Sequence, residues 1–239
     1  MNLLIKELSK KSDDVTILNS IDLEVKSGEA VALVGANGAG KTTLLNCILG
    51  IYSHYSGEIR INGIDVKSKE CDALREKVAF VLDTTGLFAP LTARENIEFY
   101  DRMYNPQSSC DERRARIERI FEEISLKGKG DMAVTKFSKG MKQRLAIGRT
   151  LVIKPELILL DEPYLGLDVE GKSFLTGLLL KLKKEGCTIL LSSHDLTEIE
   201  KVCDKAVFVK KGEICDEKPL SNFEAEKSEL EMMYAKVLM

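Results

Sequence analysis

The sequence predicts an α/β fold with a mostly parallel core sheet and a helical segment spliced into it. Three observations lead there. The apolar run Ala30-Val31-Ala32-Leu33-Val34 passes straight into Gly-Ala-Asn-Gly-Ala-Gly-Lys-Thr-Thr at 35–43, the pattern of a buried strand, a glycine-rich turn and a helix. Apolar strand-like runs alternate with helical segments on both sides of residues 92–153. Residues 92–153 are themselves charged and helical in pattern.

Taken in order, Leu3-Leu4-Ile5 and Ile17 to Val25 read as short strands, followed by a turn at Ser27-Gly28. A helix starts near Lys41, carries the apolar face Leu44, Leu45, Ile48 and Leu49, and ends by about Gly50. Gly57 to Gly63 is a β segment closed by the turn signal Asn62-Gly63. Val78 to Leu82 is a buried strand. From Asp111 to Leu126, Ile117, Ile120, Phe121 and Ile124 recur on one helical face among arginines and glutamates. Strands resume at Leu157–Leu160 and Thr188–Leu191, with a helix near 169–185 between them. Ala206 to Val209 and Glu213-Ile214 suggest a closing strand pair, and a charged amphipathic helix ends the chain.

The chain has 239 residues, 44% hydrophobic and 31% charged, within the range of soluble globular proteins. A net charge of −3 gives no global reason to expect a nucleic-acid or membrane-surface binder. None of the six cysteines forms a Cys-x-x-Cys pair, so a zinc site is not expected and reduced thiols are the simplest reading. The first residues are too charged for a secretory signal, and no apolar run reaches the ~18–20 residues that span a bilayer.

Residues 35–43 specify a phosphate cradle. Backbone N–H groups of such a turn point inward, and the start of the following helix adds partial positive charge. Glycines let the chain wrap a phosphate without Cβ clashes. With glycine at roughly 7% of residues, the fixed positions arise by chance in about one chain of this size in a hundred, so an ordinary glycine-rich loop is the weaker reading. The nucleotide-binding set is Gly35, Asn37, Gly38, Ala39, Gly40, Lys41, Thr42 and Thr43. Lys41 is placed to reach the β- and γ-phosphates and the Thr42 hydroxyl to hold Mg²⁺. Leu157-Ile158-Leu159-Leu160-Asp161-Glu162 delivers two carboxylates at the end of a buried strand. Asp161 is expected to bind Mg²⁺, and Glu162 to orient and deprotonate the attacking water.

Phe137-Ser138-Lys139-Gly140-Met141-Lys142-Gln143-Arg144 adds a third element, with Ser138 suited to an N-cap and Gly140 to close approach of a phosphate. This stretch resembles the signature motif of the ATP-binding cassette (ABC) family. Glu162-Pro163-Tyr164-Leu165-Gly166-Leu167-Asp168 resembles that family's link from the catalytic glutamate to the D-loop, and Ser192-Ser193-His194-Asp195 its switch-histidine motif. The resemblance spans nearly the whole chain. It implies a P-loop NTPase cassette with an N-terminal antiparallel β subdomain and an inserted helical subdomain. The expected layout is one ATP-binding domain over 1–239, its catalytic core formed by 1–91 and 154–239 and its helical subdomain by 92–153. It further implies that Ser138, Lys139, Gly140 and Met141 contact the γ-phosphate held by a second subunit, that Asp168 couples the two sites, and that His194 senses the γ-phosphate.

Three positions depart from the family pattern. Asp83 stands where glutamine is usual, so it is expected to join catalysis and Mg²⁺ binding with altered metal dependence or a slower basal rate. Ser12 stands where an aromatic usually stacks on adenine, which leaves Ile17 to pack against the base and predicts weak base selectivity. Phe137, Lys139 and Met141 replace commoner signature residues in a form that resembles exporter variants.

The resemblance therefore implies an ATPase subunit using ATP and Mg²⁺ to power transport through a separate transmembrane permease, with export favoured. It would work as a homodimer or heterodimer of ATP-binding subunits, cytoplasmic and peripheral on the inner face of the cell membrane, with no nucleic acid partner. The alternative is a soluble ABC ATPase acting on ribosomes or DNA. Against it, the chain holds one cassette, no heptad run and no cysteine pairs.

Overall fold

A computed structural model describes residues 1–82, 86–220 and 235. In chain order the strands are β1 (Leu3–Ser12), β2 (Val15–Val25), β3 (Ala30–Val34), β4 (Ser56–Ile61), β5 (Ile64–Asp65), β6 (Val78–Val81), β7 (Leu157–Asp161), β8 (Thr188–Ser192), β9 (Lys205–Lys210) and β10 (Glu213–Pro219). The helices are α1 (Lys41–Ile48), α2 (Asp72–Arg75), α3 (Ala93–Tyr104), α4 (Cys110–Glu123), α5 (Lys139–Thr150), α6 (Val169–Lys184) and α7 (Leu196–Val202). The charged helix expected at the end of the chain lies, apart from residue 235, outside the described residues.

Two sheets form. A four-stranded antiparallel sheet runs β2-β1-β4-β5, and a six-stranded sheet runs β10-β9-β3-β8-β7-β6. In the larger sheet β9, β3, β8, β7 and β6 pair in parallel, and β10 closes the edge antiparallel to β9. The antiparallel strands β1 and β2 run further than their apolar stretches suggest. Their pairing shifts register around Glu7 and Ser20, both at φ 48. Such bulges break the alternation that marks a strand in sequence, so the charged half of β1 carries no clear period-two signal.

The central strands are buried on both faces, which is why they read as unbroken apolar runs. Ala30, Ala32 and Val34 of β3 join a core with α4, α5 and α6, while Val31 and Leu33 join a second core with α1 and the antiparallel sheet. The same split sends Ile158 and Leu160 of β7 one way and Leu157 and Leu159 the other. Each Leu or Ile side chain so buried contributes roughly 1.5–3 kcal/mol.

The helices between β6 and β7 are set by local signals as well as by packing. Thr92 and Glu95 form a reciprocal cap at α3, with Glu95 N donating to Thr92 Oγ1 at 3.2 Å and Thr92 N to Glu95 Oε2 at 2.8 Å. Ser109 and Glu112 do the same at α4, each arrangement worth about 1 kcal/mol. Ile117, Ile120, Phe121 and Ile124 are buried against α5, as their spacing predicts. Asp101 of α3 is fully buried, its carboxylate taking Arg113 Nε at 2.9 Å and Arg116 Nε from α4. That pair of arginines locks α3 to α4. Fully buried Asn96 bridges backward, donating to Phe88 O at 3.1 Å and accepting from Phe88 N at 2.8 Å, which fixes the segment entering the helical insert.

Candidate active site

The glycine-rich loop sits where β3 ends. A Cβ at Gly35 would stand 2.2 Å from the Val209 carbonyl oxygen, so only glycine fits there. Gly40, at φ 106, turns the chain into α1. The loop is buttressed from behind: Gly212 N donates to Ala39 O at 2.9 Å, and Asn19 N donates to Gly212 O at 2.8 Å. Lys41, 6% exposed, folds back into the loop and donates to Gly35 O at 2.7 Å and Ala36 O at 3.2 Å. Its ammonium is therefore held at the centre of the turn, where a bound anion would find it.

The carboxylates come from the neighbouring strands. Asp161 ends β7, 3% exposed, and Oδ2 accepts from Thr42 Oγ1 at 2.7 Å. Ser192, at the end of β8, donates to the other oxygen of Asp161. Glu162 follows at φ 46, a left-handed conformation uncommon for a non-glycine residue. That turn swings its side chain off the strand line and over the loop. Oε1 lies 3.6 Å from Lys41 Nζ, and Oε2 lies 2.9 Å from His194 Nδ1. Oε1 is buried and accepts no hydrogen bond among the described residues.

These groups line one cleft of about 370 Å³ formed by Ile17, residues 37–43, Asp161 and Glu162. It combines a glycine-rich turn at a helix start, a lysine, a hydroxyl and two carboxylates, the group set for a polyphosphate with a hard divalent cation. Among the described residues no cluster of three His, Cys, Asp or Glu side chains could cage a metal alone. A cation here would need oxygens from a ligand besides Thr42 and Asp161, as Mg²⁺ ordinarily does. Ile17 and Ala39 are the apolar side chains of the cleft, and among its described lining residues there is no aromatic ring.

The remaining sequence-derived candidates stand elsewhere. Ser138 caps α5, accepting from Met141 N at 3.2 Å. Lys139 lies across Gly166, where a Cβ would meet its side chain, and Met141 packs on the helical core. Asp168 caps α6, accepting from Gly171 N at 2.7 Å. Among the described residues lining the cleft, none of Ser138, Lys139, Gly140, Met141 or Asp168 appears, so one chain does not bring the two sets together. Asp83 lies outside the described residues.

Several contacts around the site carry no advance signal in the sequence. Glu162 N donates to Ser192 Oγ at 2.9 Å, so one hydroxyl serves both carboxylate residues. Behind them Tyr164 and Thr176 share a hydrogen bond of 3.2 Å, and Thr176 donates to Glu198 of α7. Burial pushes the Tyr164 phenol well above its ordinary range. Lys172 of α6 pairs with Asp195, the residue after His194. Burial alone would raise the Asp195 carboxyl, but the Lys172 ammonium and the Glu198 N–H outweigh it and hold it below its usual value. The contacts join residues far apart in sequence, and only Gly212, between two strands, is marked by composition.

A family model described as "ABC transporter" matches residues 18–165. The ABC transporter ATP-binding protein NatA of Bacillus subtilis is 32% identical over 94% of this chain and 91% of its own length. The sulfate/thiosulfate import ATP-binding protein CysA of Synechocystis is 36% identical over 90% of this chain and 59% of its own length. The Nod factor export ATP-binding protein I of Burkholderia orbicola is 34% identical over 87% of this chain and 67% of its own. Among solved structures, the dimeric post-hydrolysis state of the ATP-binding cassette MJ0796 bound to ADP and Pi superposes with a TM-score of 0.83 at 29% identity, covering 92% of this chain and 100% of that one.

Proposed function

The chain belongs to the ABC transporter family, and from that premise we propose which of its residues bind and hydrolyse ATP and what the reaction drives. It is the ATP-binding, ATP-hydrolysing subunit of such a system. The observation that carries the residue assignment is the placement of Glu162 between Lys41 and His194 at the mouth of the glycine-rich cleft.

Residues 35–43 cradle the phosphates, with Lys41 leaving its loop carbonyls for the β- and γ-phosphate oxygens. Glu162 is the general base. The proton from water goes to Oε1, the oxygen with no donor of its own among the described residues. His194, with its proton on Nδ1, donates to Oε2 and holds the carboxylate in that orientation. Thr42 and Asp161 fit Mg²⁺, since both offer hard oxygen donors on one side of the loop. When bound, that ion would neutralise phosphate charge. Asp83 is assigned to the same metal and water, and Ile17 to the base, which without an aromatic partner is weakly discriminated.

The working unit is a dimer, a homodimer or a heterodimer with a related cassette. Ser138, Lys139, Gly140 and Met141 do not line their own cleft, which supports a second subunit bringing them to it, with Asp168 coupling the two sites. MJ0796 is dimeric in its ADP and Pi complex. Closure over ATP and opening after hydrolysis would follow from differential affinity for the two nucleotides. One domain over 1–239 does this, with 1–91 and 154–239 as catalytic core and 92–153 as helical subdomain. Among the described residues no helix is long and apolar enough to cross a membrane. A separate permease is proposed on the family's pattern, docked on the surface of residues 86–96 and the helical insert, where Phe88 and Phe99 are exposed and stacked edge to face at 5.0 Å. That places the subunit at the inner face of the cell membrane. Export is the proposed direction, supported by the Phe137–Met141 signature form.

Tagged Glu162→Gln with ATP and Mg²⁺, recovered from detergent-solubilised membranes of the native host, tests the whole reading. A multi-span membrane protein should co-purify. Ribosomes or nucleic acid in its place would favour the soluble ABC ATPase.

A further inference from the structure

We infer that Ser192 is a positioning residue for ATP hydrolysis, which sets both carboxylates of the Asp161-Glu162 pair from the adjacent strand. This rests on the preceding assignment of Asp161 and Glu162. Ser192 is fully buried at the end of β8 and is the register partner of Asp161 in the parallel β7–β8 pair. Its hydroxyl donates to Asp161 Oδ1 and accepts from Glu162 N at 2.9 Å, so both faces of one oxygen are engaged. The Ser192 carbonyl also accepts from Glu162 N, at 3.1 Å.

Each bond has a consequence at the site. Occupying Oδ1 fixes the rotation of the Asp161 carboxylate, which leaves Oδ2 facing Thr42 at 2.7 Å. Without the hydroxyl, Oδ1 is a buried acceptor with no donor, and the carboxylate gains by turning toward one. Holding Glu162 N supports the left-handed turn at φ 46 that carries the side chain to His194 and Lys41. The backbone that carries the hydroxyl is held from the other side too, by Ser193 N donating to Leu33 O of β3 at 3.1 Å. An alanine would keep the strand, the register and the backbone bond, and would remove the orientation alone.

The test compares the full chain with Ser192→Ala, Ser192→Cys and Ser192→Thr. It reads thermal midpoint, kcat, KM for ATP, and Mn²⁺ affinity by electron paramagnetic resonance with a non-hydrolysable ATP analogue. Ser192→Ala should lower kcat by roughly 10–100-fold and weaken Mn²⁺ by about 10-fold, the usual cost of losing a group that orients a metal ligand, with KM nearly unchanged. Ser192→Thr keeps the hydroxyl and should restore most of both. Wild-type kcat and Mn²⁺ affinity in a folded Ser192→Ala would overturn the inference. So would losses of kcat that track the thermal midpoint in all three variants while Mn²⁺ affinity stays constant. If Ser192→Ala does not fold, Ser192→Cys decides, because a thiol fills the site but donates weakly: reduced kcat and Mn²⁺ affinity support the role, and unchanged values remove it. A wild-type chain without ATPase activity would sink the underlying assignment, whereas a normal wild-type with unaffected variants sinks Ser192 alone.

Discussion

His194 Nδ1 stands 2.9 Å from Glu162 Oε2, and that contact ties the ends of two neighbouring strands into one side-chain pair over the glycine-rich loop. Glu162→Gln should bind ATP but lose roughly 10²–10⁴-fold in kcat, the range for a general base. His194→Ala removes the donor to Glu162 and, on the proposed assignment, the γ-phosphate sensor, so it should also lower kcat. Steady-state ATPase assays on both would check this, and near-full turnover by Glu162→Gln would remove it as the base.

Lys41→Ala should act on binding. The side chain is buried and already turned into the loop, so no rearrangement of the backbone is needed for it to meet phosphate. A charge-assisted hydrogen bond is worth about 1.5–3 kcal/mol, which is on the order of 10–100-fold in affinity. A Kd for ATP by calorimetry within twofold of wild type would contradict it.

Asp101→Ala should destabilise the chain without touching the cleft. The carboxylate is fully buried, and its loss strands Arg113, itself 8% exposed. Breaking one side of a buried pair costs about 3–5 kcal/mol. Denaturant unfolding should show that loss, and a change under 1 kcal/mol would mean α3 and α4 are held by their apolar contacts alone.

Acid should expose the Lys172–Asp195 pair. The folded Asp195 carboxyl titrates below its ordinary 3.8, so its stabilising effect is present above that value and is lost as pH falls through the lower folded one. Both side chains are partly exposed, which limits the pair to about 0.5–1 kcal/mol. Lys172→Met should therefore be less stable than wild type at neutral pH and converge with it in strong acid. Parallel curves across the whole range would show that the pair contributes nothing.

The readable parts of this chain are those whose physics is local. The glycine-rich turn at 35–43, the carboxylates at the end of β7 and the apolar face Ile117–Ile124 each depend on neighbours a few residues away, and each takes the local structure that its spacing predicts. Ser109 and Glu112 were equally local, and their capping signature sets the start of α4 at Cys110 where periodicity alone pointed to Asp111. The contacts of Ser192, Thr176 and Glu198 are not legible, because a serine ending an apolar strand looks the same whether or not it meets a carboxylate from the next strand. Residues 138–141 are legible as a motif, yet they do not line their own cleft among the described residues, so the fold of one chain does not test the role proposed for them.

The alternation of β3, β7 and β8 between two cores has a consequence for sequence change. A substitution at Ala32 or Leu159 disturbs one core. An inserted or deleted residue within either strand would exchange the two cores' side chains along everything downstream of it and shift the catalytic ends by one position. Length variation among descendants of this gene should accordingly fall in surface turns such as 127–129 and avoid these three strands, even where single replacements accumulate freely.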